Sequence, residues 1–345
     1  MNQSSIINQS ADLRRYFLDG VSRTFALSIP QLPDTLQPAI SIAYLLCRIL
    51  DTVEDEAALS MMEKQAYLLQ LVDCFINKLP SQDLALSLGA SLSTTTTPIE
   101  KELIAEMQTV LDWLQAIEPR QQAAILDCIQ TMGLGMADFL PLRSIQGLNN
   151  TQAFDQYCYT VAGVVGEMLT TLFCQYSEDI NQNRDQLMPL SISFGQGLQM
   201  TNILKDIWAD HDKGVCWLPQ SLFSPYGLDL SELASIHSSA EYQMSLRAMV
   251  EMTSEHLENA VRYIKLIPKK ERGIRKFCFW AAGMGMLTLR NIYNQPGFRD
   301  GRDITISRHK VKATIAVSQF AATENHLLDV LLSIFRIKNI SSDHK

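Results

Sequence analysis

An all-α fold is what this sequence predicts, on three observations. Glycine and proline are sparse, at 16 and 12 of 345 residues, while Leu, Ala, Gln, Met and Glu are plentiful; the latter lose little rotamer freedom in a helix. Helix-period patterns recur through most of the chain. No segment shows sustained alternation with β-branched residues, so no sheet is predicted. Hydrophobic residues make up 47% of the chain, enough for a sizeable core, and the length suits one large domain or two ordinary ones.

The elements follow in order. A first helix is predicted over residues 10–28, ended by IPQLPDTLQP with Pro30, Pro33 and Pro38. Residues 38–54 give a second helix, which ends in acids, and residues 62–79 are amphipathic. SQDLALSLGASLSTTTTPIE, with its Ser/Thr run, reads as a weak or loop-like connection. Helical patterns resume over 99–115 and 120–140, and LRSIQGLNNTQAF is a loop. Residues 153–176 form an apolar helix carrying Gly163 and Gly166; residues 184–210 form another, again ending in acids. After the loop HDKGVCWLPQSLFSPYGLDLSE come helices over 240–266 and 271–294. NQPGFRDGRDITISRHK is a turn-rich hinge before a final helix. With no linker-like break and no fixed repeat, a single helical domain is the simplest organisation. The tail LLDVLLSIF, interrupted by Asp329, is too short to span a bilayer; a docked terminal helix and a helix lying on a membrane surface both fit it.

Several classes are disfavoured. The formal charge is −8 and no Lys/Arg-rich run occurs, which argues against a nucleic-acid partner. The cysteines at 47, 74, 128, 158, 174, 216 and 278 are odd in number and form no CxxC. That argues against a disulfide framework or zinc site and for a reducing compartment, the cytoplasm. No basic-then-apolar leader and no run of 18 uncharged apolar residues is found, so neither a signal peptide nor a transmembrane helix is expected.

Five constellations bear on chemistry, and two of them are acid-rich. In YLLCRILDTVEDE, Tyr44, Arg48, Asp51 and Asp55 are spaced 4, 3 and 4 apart, one stripe on a helix, with Glu54 at its edge. Leu45, Leu46, Ile49 and Leu50 fill the other faces. Three carboxylates within a turn repel one another, and a helix C-terminus disfavours negative charge. A cation would relieve this, and Mg²⁺ suits it, since it takes one or two carboxylates plus phosphate oxygens. On this segment alone, a solvated acidic helix end fits equally well. In QMTNILKDIWAD, Gln199, Asn202, Asp206 and Asp210 form a second polar stripe between Ile203, Leu204, Ile207 and Trp208. Two such stripes, facing one another across a cavity, would call for metal and for highly charged phosphate groups.

Basic residues accompany the stripes. Ser22-Arg23 precedes the proline break, Arg48 lies in the first stripe, Lys205 and Lys213 flank the second, and Arg308 and Lys310 follow the hinge. Guanidinium groups suit phosphate oxygens. In YCYTVAGVVG, Gly163 and Gly166 serve either close helix packing or a ligand's hydrocarbon, and Tyr157 could steer a proton or hold a leaving diphosphate. FCFWAAGMGMLTL is a core helix or a pocket for prenyl tails.

In SRTFALSIPQLP, LLCRILDTVEDE, YCYTVAGVVGEMLTTLF and QMTNILKDIWAD, the chain resembles the squalene/phytoene synthase family, over residues 12–310. YCYTVAG and KFCFWAAGMGMLTLRNIYNQ resemble squalene synthases and their dehydrosqualene relatives more than phytoene synthases. The resemblance implies an isoprenoid-synthase helical bundle around a central cavity, with residues 1–11 and 311–345 as N-terminal and helical C-terminal tails. It implies a Mg²⁺-dependent head-to-head prenyltransferase joining two molecules of farnesyl diphosphate through presqualene diphosphate to squalene, with NADPH as reductant. Asp51, Glu54, Asp55, Asn202, Asp206 and Asp210 would hold metal. Ser22, Arg23, Tyr44, Arg48, Gln199, Asn202, Lys205 and Lys213 would bind diphosphate, Tyr157 would assist leaving or deprotonation, and Arg308 and Lys310 would bind NADPH. Val161, Gly163, Gly166, Phe277 and Cys278 would line the prenyl pocket, and the product would leave through peripheral membrane contact. Two positions depart from the family pattern: Lys205 stands where arginine is usual, and the hinge reads ITISRHK where squalene synthases place Lys-x-Arg. Alternatives are a synthase of presqualene diphosphate, dehydrosqualene or phytoene without the reductive step, and a non-catalytic helical assembly factor.

Overall fold

Apolar residues at helical spacing, closed off by capping side chains, make the described part of the chain helical, with no strand there. Only two isolated bridges, Ser144 with Cys216 and Leu148 with Pro219, pair extended backbone. The computed structural model describes residues 3–307, Thr314 and 324–335, the side chains of 3–9, Arg23, Thr24 and 331–335 excepted. The expected all-α class is what the chain adopts. The helices belong to two compact units, each assembled from separate stretches of sequence.

The first unit comprises residues 1–141 and 168–181. It holds α1 (Gln3–Val21), α2 (Arg23–Ser28), α3 (Gln37–Asp55), α4 (Met61–Ile76), α5 (Gln82–Ser91), α6 (Pro98–Ala105), α7 (Met107–Ala116) and α8 (Pro119–Phe139). Its centre is α3, whose Ile42, Leu45, Leu46, Ile49 and Leu50 are fully buried, each worth about 1.5–3 kcal/mol. Three expectations change here; one is that the helix expected over 99–115 divides at Glu106 into α6 and α7. The helix expected over 10–28 is broken at Ser22, whose extended backbone (φ −153°, ψ 114°) and side chain, accepting from the Phe25 amide at 3.1 Å, cap a new helix. The stretch expected to be loop-like contains α5, because Ala85 and Leu88 give it a buried strip. The Ser/Thr run then ends in a capping box. Thr97 receives the Glu100 amide, Glu100 receives the Thr97 amide, and Pro98 opens α6.

The second unit comprises residues 142–167 and 182–345. It holds α9 (Thr151–Cys158), the start of α10 (Val164–Tyr176), α12 (Arg184–Asp212), α13 (Leu233–Ile236), α14 (Ala240–Leu266), α15 (Arg272–Asn294) and α16 (Asn325–Phe335); the short α11 (Glu178–Asn181) falls in the first unit. The helix expected over 153–176 is interrupted by a π-helical turn, Tyr159–Gly163, a form that recurs at functional sites. Helix α12 packs mainly on α14, and α14 on α15. Between α12 and α14, Ser193 Oγ meets His256 Nδ1 at 2.9 Å and accepts from Asn259 Nδ2 at 2.9 Å.

Arg275 is fully buried and donates to the carbonyls of Ile264 and Ile267 at 2.7 and 2.6 Å, satisfying buried carbonyls at the C-terminal end of α14. It also donates to Asn325 at 2.7 Å, so that α16 is docked; Leu328 is buried and Asp329 pairs with Lys265. Of the two expectations for the tail, docking is therefore realised for α16. Two helical stretches among the described residues, Pro119–Leu142 and Thr151–Tyr176, are long and apolar enough by composition to cross a membrane. About half of each is buried within the protein, as in core helices.

Candidate functional site

The first acidic helix end is built on a buried helix. Leu45, Leu46, Ile49 and Leu50 leave the Tyr44, Arg48, Asp51 stripe half-buried and Asp55 exposed, which is the single polar face expected. The Arg48 guanidinium donates from Nη2 to the Tyr44 hydroxyl at 3.1 Å, and its Nη1 lies 3.9 Å from Glu100 Oε1. Its Nε is buried with no acceptor. Burial opposes this charge, but Asp51, Tyr44 and Glu100 outweigh it and hold the arginine pKa above its ordinary value. Burial also pushes the Asp51 carboxyl up to about 6; Arg48 opposes the rise, and Asp55 and Glu100 add to it.

Residues not singled out from the sequence pin this end. The Lys64 ammonium, nearly buried, donates to the Glu54 carbonyl at 2.6 Å, a cation at a helix C-terminus. Glu56 is 1% exposed and accepts from the Ala58 amide at 2.8 Å, the Ser93 amide at 3.0 Å and the Thr96 hydroxyl at 2.5 Å. Burial alone would raise its pKa, but these hydrogen bonds hold the carboxyl down to about 2. The signal in the sequence was the unusual run of hydroxyls at 93–97, which supplies Glu56 with donors.

The second acidic helix end is more open. On α12, Ile203, Leu204 and Ile207 are buried; Gln199, Lys205, Asp206 and Asp210 are half-buried, and Asn202 and Lys213 are exposed. Lys205 pairs with its neighbour Asp206 at 3.0 Å, both side chains about two-fifths exposed. Trp208 donates to the Phe298 carbonyl at 2.6 Å, fastening the start of the hinge against α12. Beside Asp210 a small cleft is lined by Ile203, Ile207, Cys216, Trp217 and Leu230.

Tyr157 is 3% exposed and stacks flat on Trp217, with ring centres 3.9 Å apart and planes 8° apart. Arg143 lies 6.0 Å from the Trp217 ring centre. Two residues on, the half-buried Tyr159 opens the π-helical turn and donates to Glu167 at 3.0 Å, a polar pair the sequence did not single out. Gly166 serves packing: a Cβ there would come 2.1 Å from the Ser191 carbonyl oxygen of α12. Gly163 is buried against Tyr159 and Ile192, and Val161 is half-buried. Phe277 and Cys278 are buried in α15, where burial pushes the Cys278 thiol up to about 12. All seven cysteines are free thiols, six of them buried. Ser22 accepts from the Phe25 amide as a helix cap and keeps its hydroxyl proton to donate; the Arg23 side chain, Arg308 and Lys310 lie outside the described residues.

Among the described residues no three His, Cys, Asp or Glu side chains converge into a ready-made metal cage. The donor set nevertheless suits magnesium. Each stripe offers two aspartates one helical turn apart, hard oxygen donors for a cation that takes only one or two carboxylates before phosphate. The raised Asp51 pKa marks a carboxylate that a cation would stabilise in its charged form.

The family model described as squalene/phytoene synthase matches residues 18–310. The squalene synthase of Nicotiana benthamiana is 32% identical over 281 residues, covering 80% of this chain and 63% of that protein. That of Eremothecium gossypii is 28% identical over 288 residues, covering 82% and 63%. That of Bos taurus is 28% identical over 297 residues, covering 85% and 66%. The chain thus spans just under two-thirds of the length of these relatives. Among solved structures, a complex of TcSQS with the ligand BPH1237 matches with a TM-score of 0.77 at 23% identity, covering 96% of this chain and 93% of the other. A dehydrosqualene synthase in complex with ligand matches at 0.65 and 18%, covering 91% and 96%. At these identities the structural likeness is one of fold.

Proposed function

The chain belongs to the squalene/phytoene synthase family, and from that premise we propose that it is a Mg²⁺-dependent farnesyltransferase making squalene from two farnesyl diphosphates, with NADPH as reductant. The observation that carries this reading is the repeated device of two aspartates one turn apart on the polar stripe of an otherwise buried helix, Asp51 with Asp55 and Asp206 with Asp210.

In this reading Asp51, Glu54 and Asp55, and separately Asn202, Asp206 and Asp210, hold magnesium. Bound there, the metal supplies positive charge to a departing diphosphate. Arg48 binds phosphate oxygens: its buried Nε lacks an acceptor, and a phosphate oxygen is one. Arg23, Tyr44, Gln199, Lys205 and Lys213 add donors to the same anions, while Ser22 orders the turn that carries Arg23. Loss of diphosphate leaves an allylic cation, the second substrate's double bond attacks it, and proton loss closes a cyclopropane. Tyr157, fixed by its stack on Trp217, assists leaving or deprotonation. Loss of the second diphosphate would open the cyclopropane, and NADPH would supply the hydride that quenches the rearranged cation to give squalene, with Arg308 and Lys310 as its proposed ligands. Val161, Gly163, Phe277 and Cys278 are proposed to face the prenyl chains, and the hydrocarbon product is proposed to leave by peripheral membrane contact.

The test is direct. Purified protein is given farnesyl diphosphate and Mg²⁺, with and without NADPH, and the products are identified by mass spectrometry. Squalene with NADPH and presqualene diphosphate without it are expected. If omitting NADPH changes neither product nor rate, the reductive step is wrong; if no pyrophosphate is released, the transferase reading is wrong.

A further inference from the structure

Arg48 and Glu100 form an ion pair of unusual design. At 3.9 Å it lies beyond hydrogen-bond length, although both side chains are about three-quarters buried or more. Arginine and carboxylate left to themselves close to about 2.8 Å and share two hydrogen bonds. Here they do not, and the reason is visible at the other end of the carboxylate. Glu100 Oε2 accepts the Thr97 amide at 3.0 Å and the Thr97 hydroxyl at 2.7 Å, in the capping box that starts α6. Only Oε1 is turned towards Arg48. The guanidinium keeps one hydrogen bond, to Tyr44, and its Nε has none. The pair attracts without saturating the arginine.

We infer that Glu100 is a positioning residue that competes with diphosphate for Arg48: it aims the guanidinium in the empty site and takes it back when pyrophosphate leaves. The inference rests on the reading of Arg48 as a diphosphate ligand. A carboxylate held 3.9 Å away on a fixed tether cannot match the charge and reach of a diphosphate, so substrate displaces it. After the reaction the same carboxylate lowers the cost of releasing pyrophosphate, because Arg48 is not left facing a vacancy. Its position on α6, tied to Thr97, keeps it from closing fully and blocking substrate.

Glu100→Gln tests this. Glutamine also serves at the third position of a capping box, so α6 is retained, while the competing charge is lost. Binding of inorganic pyrophosphate without Mg²⁺, by calorimetry, is expected to tighten about three- to fivefold, the scale of a partly exposed ion pair. In an Arg48→Met background the gain should shrink below twofold. In turnover, the variant should show lower KM and lower kcat together, with stronger inhibition by pyrophosphate and a melting temperature lowered by no more than a few degrees, the loss of one partly exposed ion pair. Unchanged or weaker pyrophosphate binding in Glu100→Gln, or the same gain in the Arg48→Met background, overturns the inference. Wild-type protein that binds pyrophosphate but releases none from farnesyl diphosphate and Mg²⁺ would refute the transferase reading instead. Wild-type protein that binds no pyrophosphate without Mg²⁺ overturns the inference and leaves the Mg²⁺-dependent transferase reading to the turnover assay.

Discussion

At the end of α3 the carboxylates stand on a buried helix pinned from two sides, by Lys64 on the Glu54 carbonyl and by Glu56 against the 93–97 loop. At the end of α12 the same spacing of aspartates is more open to solvent, with Lys205 and Asp206 paired at the surface and Trp208 tied to the hinge. One motif has thus been given two electrostatic settings. In the first, carboxylate charge is crowded and partly desolvated, and a half-buried arginine shares the stripe. In the second, solvent screens the charge, and a flexible lysine replaces an arginine fork. The first end is suited to hold an anion in a fixed orientation, the second to accept one with more freedom.

The largest expected effect is on turnover. Asp51→Asn and Asp206→Asn should each lower kcat by about 10²-fold or more, the scale of losing a charge-stabilising group in a reaction site. Their stabilities should diverge. Burial raises the Asp51 pKa from its ordinary 3.8 to about 6, so its ionised form is the one that folding disfavours. The stability it contributes is present below pH 3.8 and is lost as pH rises through 6. Above pH 6, Asp51→Asn should therefore melt a few degrees higher than wild type, and the gap should close by about pH 4. Asp206→Asn should show no such gain, and an equal rise in both variants would break the contrast between the two ends.

Glu56 comes next. Removing its carboxylate in Glu56→Ala leaves buried donors unpaired, at about 1–3 kcal/mol each, so the melting temperature at pH 7 should fall by several degrees. Its folded pKa is held below the ordinary 4.5, at about 2. The stability it contributes is thus present above pH 4.5 and lost as pH falls towards 2. Melting curves at pH 7, 4.5 and 3 should show the gap between wild type and variant narrowing; a gap that stays constant would mean the loop is held by something else.

The smallest effect is at Lys205. An exposed pair contributes about 0–1 kcal/mol, so Lys205→Ala should barely move the melting temperature, while Lys205→Arg should leave it unchanged and tighten pyrophosphate binding modestly. A loss of several degrees in Lys205→Ala would show that the second end is as tightly built as the first.

By itself the sequence determined the helical class, most helix boundaries and the identity of both polar stripes. These depend on neighbours within a turn or two: Tyr44, Arg48, Asp51 and Asp55 share a face because of helical geometry alone. Ser22 and Thr97 are also written there as capping residues, though helical periodicity runs across the first and a Ser/Thr-rich run hides the second. Only the tertiary structure decided what surrounds the stripes. The contacts of Glu56 with 93–96, of Arg48 with Glu100, and of Tyr157 with Trp217 join residues far apart in the chain. Burial, which pushes Asp51 up and would do the same to Glu56 without its donors, is a property of packed neighbours. Spacing can place a carboxylate on a face, but the dielectric and the donors it meets there come from other segments.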